Sequence, residues 1–122
     1  MRVAVVTDST AYLPEGFAAR HSVRIVPLYV VLDGWVGRDG VDLGPVELAT
    51  ALGEKKVVTT SRPAPAEIAA VYREALEAGA GEVVSVHLSR QLSGTWDAAC
   101  LAAAEVNGGL RGGPVRVVDS RT

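Results

Sequence analysis

The sequence predicts an α/β domain: a mainly parallel sheet flanked by helices on both faces, with a small hairpin inserted. Three observations carry this reading. Apolar, β-branched runs at 3–6, 23–32, 82–88 and 115–118 alternate with helix-forming stretches, the order that parallel strands and crossover helices produce. Several of these runs are nearly unbroken in their apolar character, as strands covered on both faces are. Asp33-Gly34 follows the second run, and that dipeptide is a two-residue hairpin signal.

Taken in order, residues 3–6 form a buried strand. Residues 13–21 read as a short helix with Pro14 near its first turn. Residues 23–32 read as one strand, after which Asp33-Gly34 turns the chain back through 35–38. Residues 45–52 are helical, with Pro45 tolerated at the start. Residues 57–59 are extended. Pro65 opens the clearest helix: Ile68, Val71, Tyr72, Ala75 and Leu76 follow i, i+3, i+4 spacing and form one apolar stripe. Glu67, Arg73, Glu74 and Glu77 lie largely away from it, and Gly79 and Gly81 are stop signals. Residues 82–88 are a buried strand, and 92–106 an Ala-rich helix ended by Asn107-Gly108-Gly109. Residues 115–118 are a last strand. A strand end in this class normally leads into another helix, so a sequence reaching only Thr122 reads as a fragment or as a domain of something longer.

Composition narrows the function. A chain of 122 residues makes one domain, and 48% apolar residues suffice for a core. A net charge of -2 disfavours nucleic-acid and membrane-surface roles. No apolar run approaches the roughly 18 residues of a membrane span. The opening apolar run meets Asp8 too soon for a signal peptide. Cys100 is the sole cysteine, which excludes an internal disulfide and a cysteine-rich metal site and makes a reducing cytoplasm the expected compartment.

Three hydroxyl-rich clusters follow strand-like runs: Thr7-Asp8-Ser9-Thr10, Thr59-Thr60-Ser61-Arg62-Pro63 and Ser89 to Thr95. In an open α/β sheet the carboxyl ends of the strands share one edge, where ligands bind. Neutral donors gathered there suit an anionic head group better than covalent chemistry. Ser93, Gly94 and Thr95 open a helix, where free N–H groups attract anions; simple N-capping by Ser93 or Ser89 needs no ligand. Thr60 and Ser61 precede two prolines that hold the chain extended, and local hydroxyl-to-backbone bonds are their plain alternative. Asp8 reads as a brace for its loop rather than a metal ligand. His87, within a strand, reads as a satisfied structural histidine. Cys100 reads as a small buried apolar residue, and Trp35, on the hairpin, as a surface aromatic. Asp39-Gly40-Val41-Asp42 resembles a turn and lacks calcium-loop spacing. Gly-x-Gly-x-x-Gly, the phosphate-binding Gly-Lys-Ser/Thr loop, His-Glu-x-x-His and Gly-x-Ser-x-Gly are all missing, so catalysis, a metal or a cofactor finds little support.

Val6-Thr7-Asp8-Ser9-Thr10, Val26-Pro27-Leu28, Asp39-Gly40, Thr60-Ser61-Arg62-Pro63, Leu92-Ser93-Gly94-Thr95 and Val118-Asp119-Ser120 occur in order. This set resembles the amino-terminal domain of the DegV family of fatty-acid-binding proteins, over nearly the whole chain. The resemblance implies a non-catalytic cytoplasmic protein of bacterial type that encloses one long-chain fatty acid. It also implies a partner, a fatty acid kinase that phosphorylates the bound carboxylate. By this resemblance Thr60 and Ser93 hold the carboxylate, while Ser61, Gly94 and Thr95 shape the loops around it. Arg62 stands where the family usually has glutamine. The family's carboxy-terminal domain lies outside 1–122, and without it the apolar surface that faces that domain is left bare. Two other readings fit the same residues: a phospho-ligand domain or enzyme using the same helix N-termini, and an interaction domain without a ligand.

Overall fold

The computed structural model describes residues 2–11, 13–14, 16–54, 57–87, 94–108 and 113–120. Four strands, β1 (Val3–Asp8), β2 (Val23–Val26), β6 (Glu82–His87) and β7 (Val115–Asp119), make a wholly parallel sheet in the order β2-β1-β6-β7. Three more, β3 (Tyr29–Leu32), β4 (Trp35–Arg38) and β5 (Val58–Ser61), make a small antiparallel sheet in the order β4-β3-β5. The helices are α1 (Phe17–His21), α2 (Pro45–Gly53), α3 (Pro65–Glu77) and α4 (Thr95–Val106).

The single strand expected over 23–32 is two strands in two sheets. Pro27 lies at the break and has no N–H to give to a ladder, so pairing stops there and the chain changes sheet. The expected hairpin forms. Asp33 and Gly34 both have positive φ (47° and 83°), as a two-residue turn matched to strand twist requires. The extended segment expected at 57–59 is β5 at Val58–Ser61, whose pairing with β3 (Val30↔Thr60, Tyr29↔Ser61) turns the hairpin into a sheet. The helix expected over 13–21 shortens to Phe17–His21, because Gly16 takes a left-handed conformation (φ 79°) just before it.

Strand alternation sorts the parallel sheet into two faces. Val6 and Asp8 of β1 share a face with Val83, Ser85 and His87 of β6, and all five are buried. Onto this face pack α3 and α4, side by side. Ile68, Ala69, Tyr72 and Ala75 of α3 and Ala98, Ala99, Ala102 and Ala103 of α4 complete the core. The apolar stripe expected on α3 is thus present, with Val71 and Leu76 at its rim. Four buried alanines let α4 approach closely, which explains its composition. Asn107, just past α4, exchanges two 3.0 Å hydrogen bonds with the Val115 backbone and sets where β7 begins.

The other face is sparsely covered. The right-handed rule for parallel crossovers puts short α1 there, where it packs at β2. Val3, Val5, Ile25 and Val118 on this face remain 38–50% exposed.

Candidate functional site

Every strand of the parallel sheet ends at the same edge, with Asp8, Val26, His87 and Asp119 as last residues. Two of these, Asp8 and His87, are polar and 1% exposed. The physics of burial demands partners for them, and they have them. His87 Nδ1 lies 2.6 Å from Asp8 Oδ2. His87 Nε2 lies 2.5 Å from Ser85 Oγ, which accepts a 2.6 Å bond from the Tyr72 hydroxyl on α3. The other Asp8 oxygen accepts the Thr10 N–H at 2.9 Å and the Thr10 hydroxyl.

One donor direction satisfies the whole cluster. Tyr72 donates to Ser85, so the Ser85 proton is left for Nε2, and Nδ1 carries the ring proton toward Asp8. Burial raises the Asp8 pKa, but bonds from His87 and Thr10 outweigh it and hold the carboxyl below its ordinary 3.8. Burial pushes the Tyr72 phenol up to about 12, only partly offset by its bond to Ser85.

The order hydroxyl, imidazole, carboxylate is that of an acyl-transfer triad. Access separates the two. Ser85 is 0% exposed and its oxygen already accepts the Tyr72 proton, so no substrate carbonyl reaches it. Asp8 is therefore the loop brace and His87 the satisfied structural residue that sequence reading expects. Ser85 and Tyr72 escaped that reading. A signal was present: period-2 alternation puts Ser85 and His87 on one face with Val83, and two polar residues on a face otherwise apolar imply a buried pair.

The sequence-predicted site residues fall as follows. Thr60 and Ser61 do not lie at the carboxyl edge of the parallel sheet as expected; they lie on β5, an outer strand of the small antiparallel sheet that pairs with β3, and both are exposed. Gly94 is the N-cap of α4, and Thr95, its first residue, is fully buried. Ser93 lies outside the described residues, as does Ser89. The second and third hydroxyl clusters meet through Arg62, whose Nη1 donates to the Gly94 carbonyl at 3.4 Å. A Cβ at Gly94 would lie 2.8 Å from Arg62 Nη1 and 3.1 Å from Cδ, so glycine leaves the room that the guanidinium occupies. Asp8 of the first cluster meets His87, which precedes the third cluster in sequence. The first also touches the chain between the two sheets, because Ser9 Oγ accepts the Leu28 N–H at 3.0 Å.

Other readings of single residues resolve similarly. Cys100 is only half-buried, and burial together with Asp97 raises its thiol pKa. Trp35 is 47% exposed, and its ring occupies the space beside Gly37, where a Cβ would come within 2.1 Å of it. Asp42 binds the Arg38 N–H at 2.9 Å and its guanidinium at 3.1 Å, which occupies that carboxylate within its own turn. Among the described residues no group of three or more His, Cys, Asp or Glu side chains could hold a metal ion, and no helix is long and apolar enough to cross a membrane.

Comparison with known proteins agrees with this geometry. A DegV domain-containing protein of Streptomyces coelicolor is 49% identical over 118 residues, covering 97% of this chain and 40% of the relative. A solved structure from Thermus thermophilus, described as fatty acid binding of a DegV family protein, superposes with a TM-score of 0.83 at 47% identity, over 98% of this chain and 41% of that one. A stearic-acid-binding protein from Eubacterium ventriosum superposes with a TM-score of 0.88 at 32% identity, over 98% and 41%. The chain thus spans about 40% of the length of its relatives. Residues 2–122 match the model of the DegV family, described as an uncharacterised protein family. This chain belongs to the DegV family.

Proposed function

We propose that this chain forms the carboxylate-binding part of a protein that holds one long-chain fatty acid and presents its head group to a kinase. The single observation that carries the reading is the contact of Arg62 with Gly94, which brings the Thr60-Ser61 segment against the start of α4. Thr60 and Ser93 supply hydroxyl donors to the carboxylate; Ser61, Gly94 and Thr95 shape the surrounding backbone. Hydroxyls and helix N-terminal amides give charge-assisted hydrogen bonds to a carboxylate without desolvating an ion pair. A carboxylate held by neutral donors keeps an oxygen able to attack phosphorus, as a kinase partner requires. Arg62 stands close enough to add attraction at longer range. The acyl chain contributes about 0.8 kcal/mol per buried CH₂, so the tail dominates affinity and the head group fixes orientation. Support for the ligand class comes from the solved relatives, two of which are described as binding a fatty acid or stearic acid.

The test is the double substitution Thr60→Val with Ser93→Ala in the full-length protein, read by binding of a fluorescent or radiolabelled long-chain acid. Binding is expected to be lost while the far-UV and near-UV spectra stay unchanged. Unaltered affinity in the folded double variant removes these residues from the site. Displacement of the acid by phosphate esters would instead favour a phospho-ligand.

A further inference from the structure

The buried cluster closes the carboxyl ends of β1 and β6, where Asp8 and His87 meet. We propose that Asp8 and His87 are positioning residues that set the spacing between the two hydroxyl clusters of the proposed head-group site; the inference rests on the fatty-acid reading above.

His87 is the last residue of β6, and the segment leading to Ser93 and Gly94 begins immediately after it. Its ring holds Asp8 at 2.6 Å, and its carbonyl accepts the Ser120 N–H at 3.0 Å, so the end of β6 is tied to β1 and to the residue after β7. Asp8 is the last residue of β1, and its second oxygen closes a turn onto Thr10. That turn aims Ser9, whose Oγ accepts the Leu28 N–H at 3.0 Å. Leu28 leads directly into β3, and β3 registers β5 so that Val30 faces Thr60. Thr60 stands at one end of this path; at the other, Ser85 and Tyr72 tie His87 to α3, which packs along α4. A preorganised site needs such support behind the residues that touch ligand, because small displacements forfeit much of the binding energy.

Two substitutions at His87 separate positioning from simple core satisfaction. Asparagine puts an N–H donor near the Nδ1 position and keeps the bond to Asp8. Glutamine reaches the Nε2 position and keeps Ser85 but loses Asp8. In the full-length protein, His87→Gln should weaken oleate binding by about tenfold or more, and His87→Asn should rescue it to within about twofold. The ¹⁵N and ¹H resonances of the Thr60 and Gly94 amides, recorded without ligand, should move in His87→Gln and stay near wild type in His87→Asn. Ser9→Ala, a milder change that cuts only the Leu28 bond, should also shift Thr60. A purely structural cluster would lower the stability of both His87 variants and leave Thr60 and Gly94 unmoved, and that outcome overturns the inference. If wild-type protein binds no oleate, the fatty-acid reading fails instead, and the amide shifts still decide whether Asp8 and His87 couple the two segments.

Discussion

The polar cluster at the ends of β1 and β6 and the exposed hydroxyls of β5 are made of similar side chains in opposite surroundings. Asp8, Ser85 and His87 are each no more than 1% exposed, and every polar group in the cluster is partnered. Thr60 and Ser61 face water on an outer strand of the small sheet. A buried polar group must be satisfied within the protein, so it specifies structure. An exposed hydroxyl can exchange water for a ligand at little cost to the fold. The triad-like arrangement is therefore the framework, and the plainer hydroxyls are the candidate contacts.

The largest effect should come from breaking the buried side. His87→Ala leaves one oxygen of the buried Asp8 carboxylate and the Ser85 proton without their partner and should destabilise by about 3–5 kcal/mol, read as a lower urea midpoint. Titration gives the next. Tyr72 has a folded pKa of about 12 against 10.0 ordinarily. Its stabilisation is therefore complete below pH 10 and lost as pH rises toward 12, roughly 3 kcal/mol in all. Tyr72→Phe should lack this alkaline loss. Asp8 shifts the other way: its pKa lies below 3.8, so its contribution is present above about pH 4 and lost as pH falls through the folded value. Asp8→Asn should flatten that acid limb. Unfolding midpoints measured across pH for wild type and both variants check the two signs.

Changes on the exposed side should spare the fold. Arg62→Gln should leave the urea midpoint within about 0.5 kcal/mol and weaken fatty-acid binding a few-fold at low salt, with the difference fading at high salt as screening grows. The smallest effect belongs to Arg73, whose 3.3 Å ion pair with Glu105 joins α3 to α4 with both side chains about half exposed. Arg73→Ala should cost less than about 0.5 kcal/mol in the same unfolding assay.

Local chemistry made much of this fold legible. The Asp33-Gly34 turn and the stripe of α3 follow from backbone and periodicity alone, and so do most of the parallel strands. What escaped was set by contacts distant in sequence. Pro27 marks a break in strand pairing, but nothing near it announces that the chain there leaves one sheet for another. The short extended segment expected at 57–59 becomes β5 (58–61) only because β3 is there to pair with it. Tyr72, Ser85, His87 and Asp8 come together from α3, β6 and β1, and only the fold makes them neighbours. The hydroxyl clusters were legible as sequence features, but the place of the second on β5 of the small sheet, rather than at the edge of the parallel one, was not, nor was the bond from Arg62 to Gly94.

The most direct measurement is the lipid content of the full-length protein, purified gently without detergent, extracted with organic solvent and analysed by mass spectrometry. One long-chain fatty acid per protein molecule is expected, reduced to background in the Thr60→Val, Ser93→Ala double variant. A wild-type protein that carries no fatty acid, and takes up none when it is offered, would contradict the account.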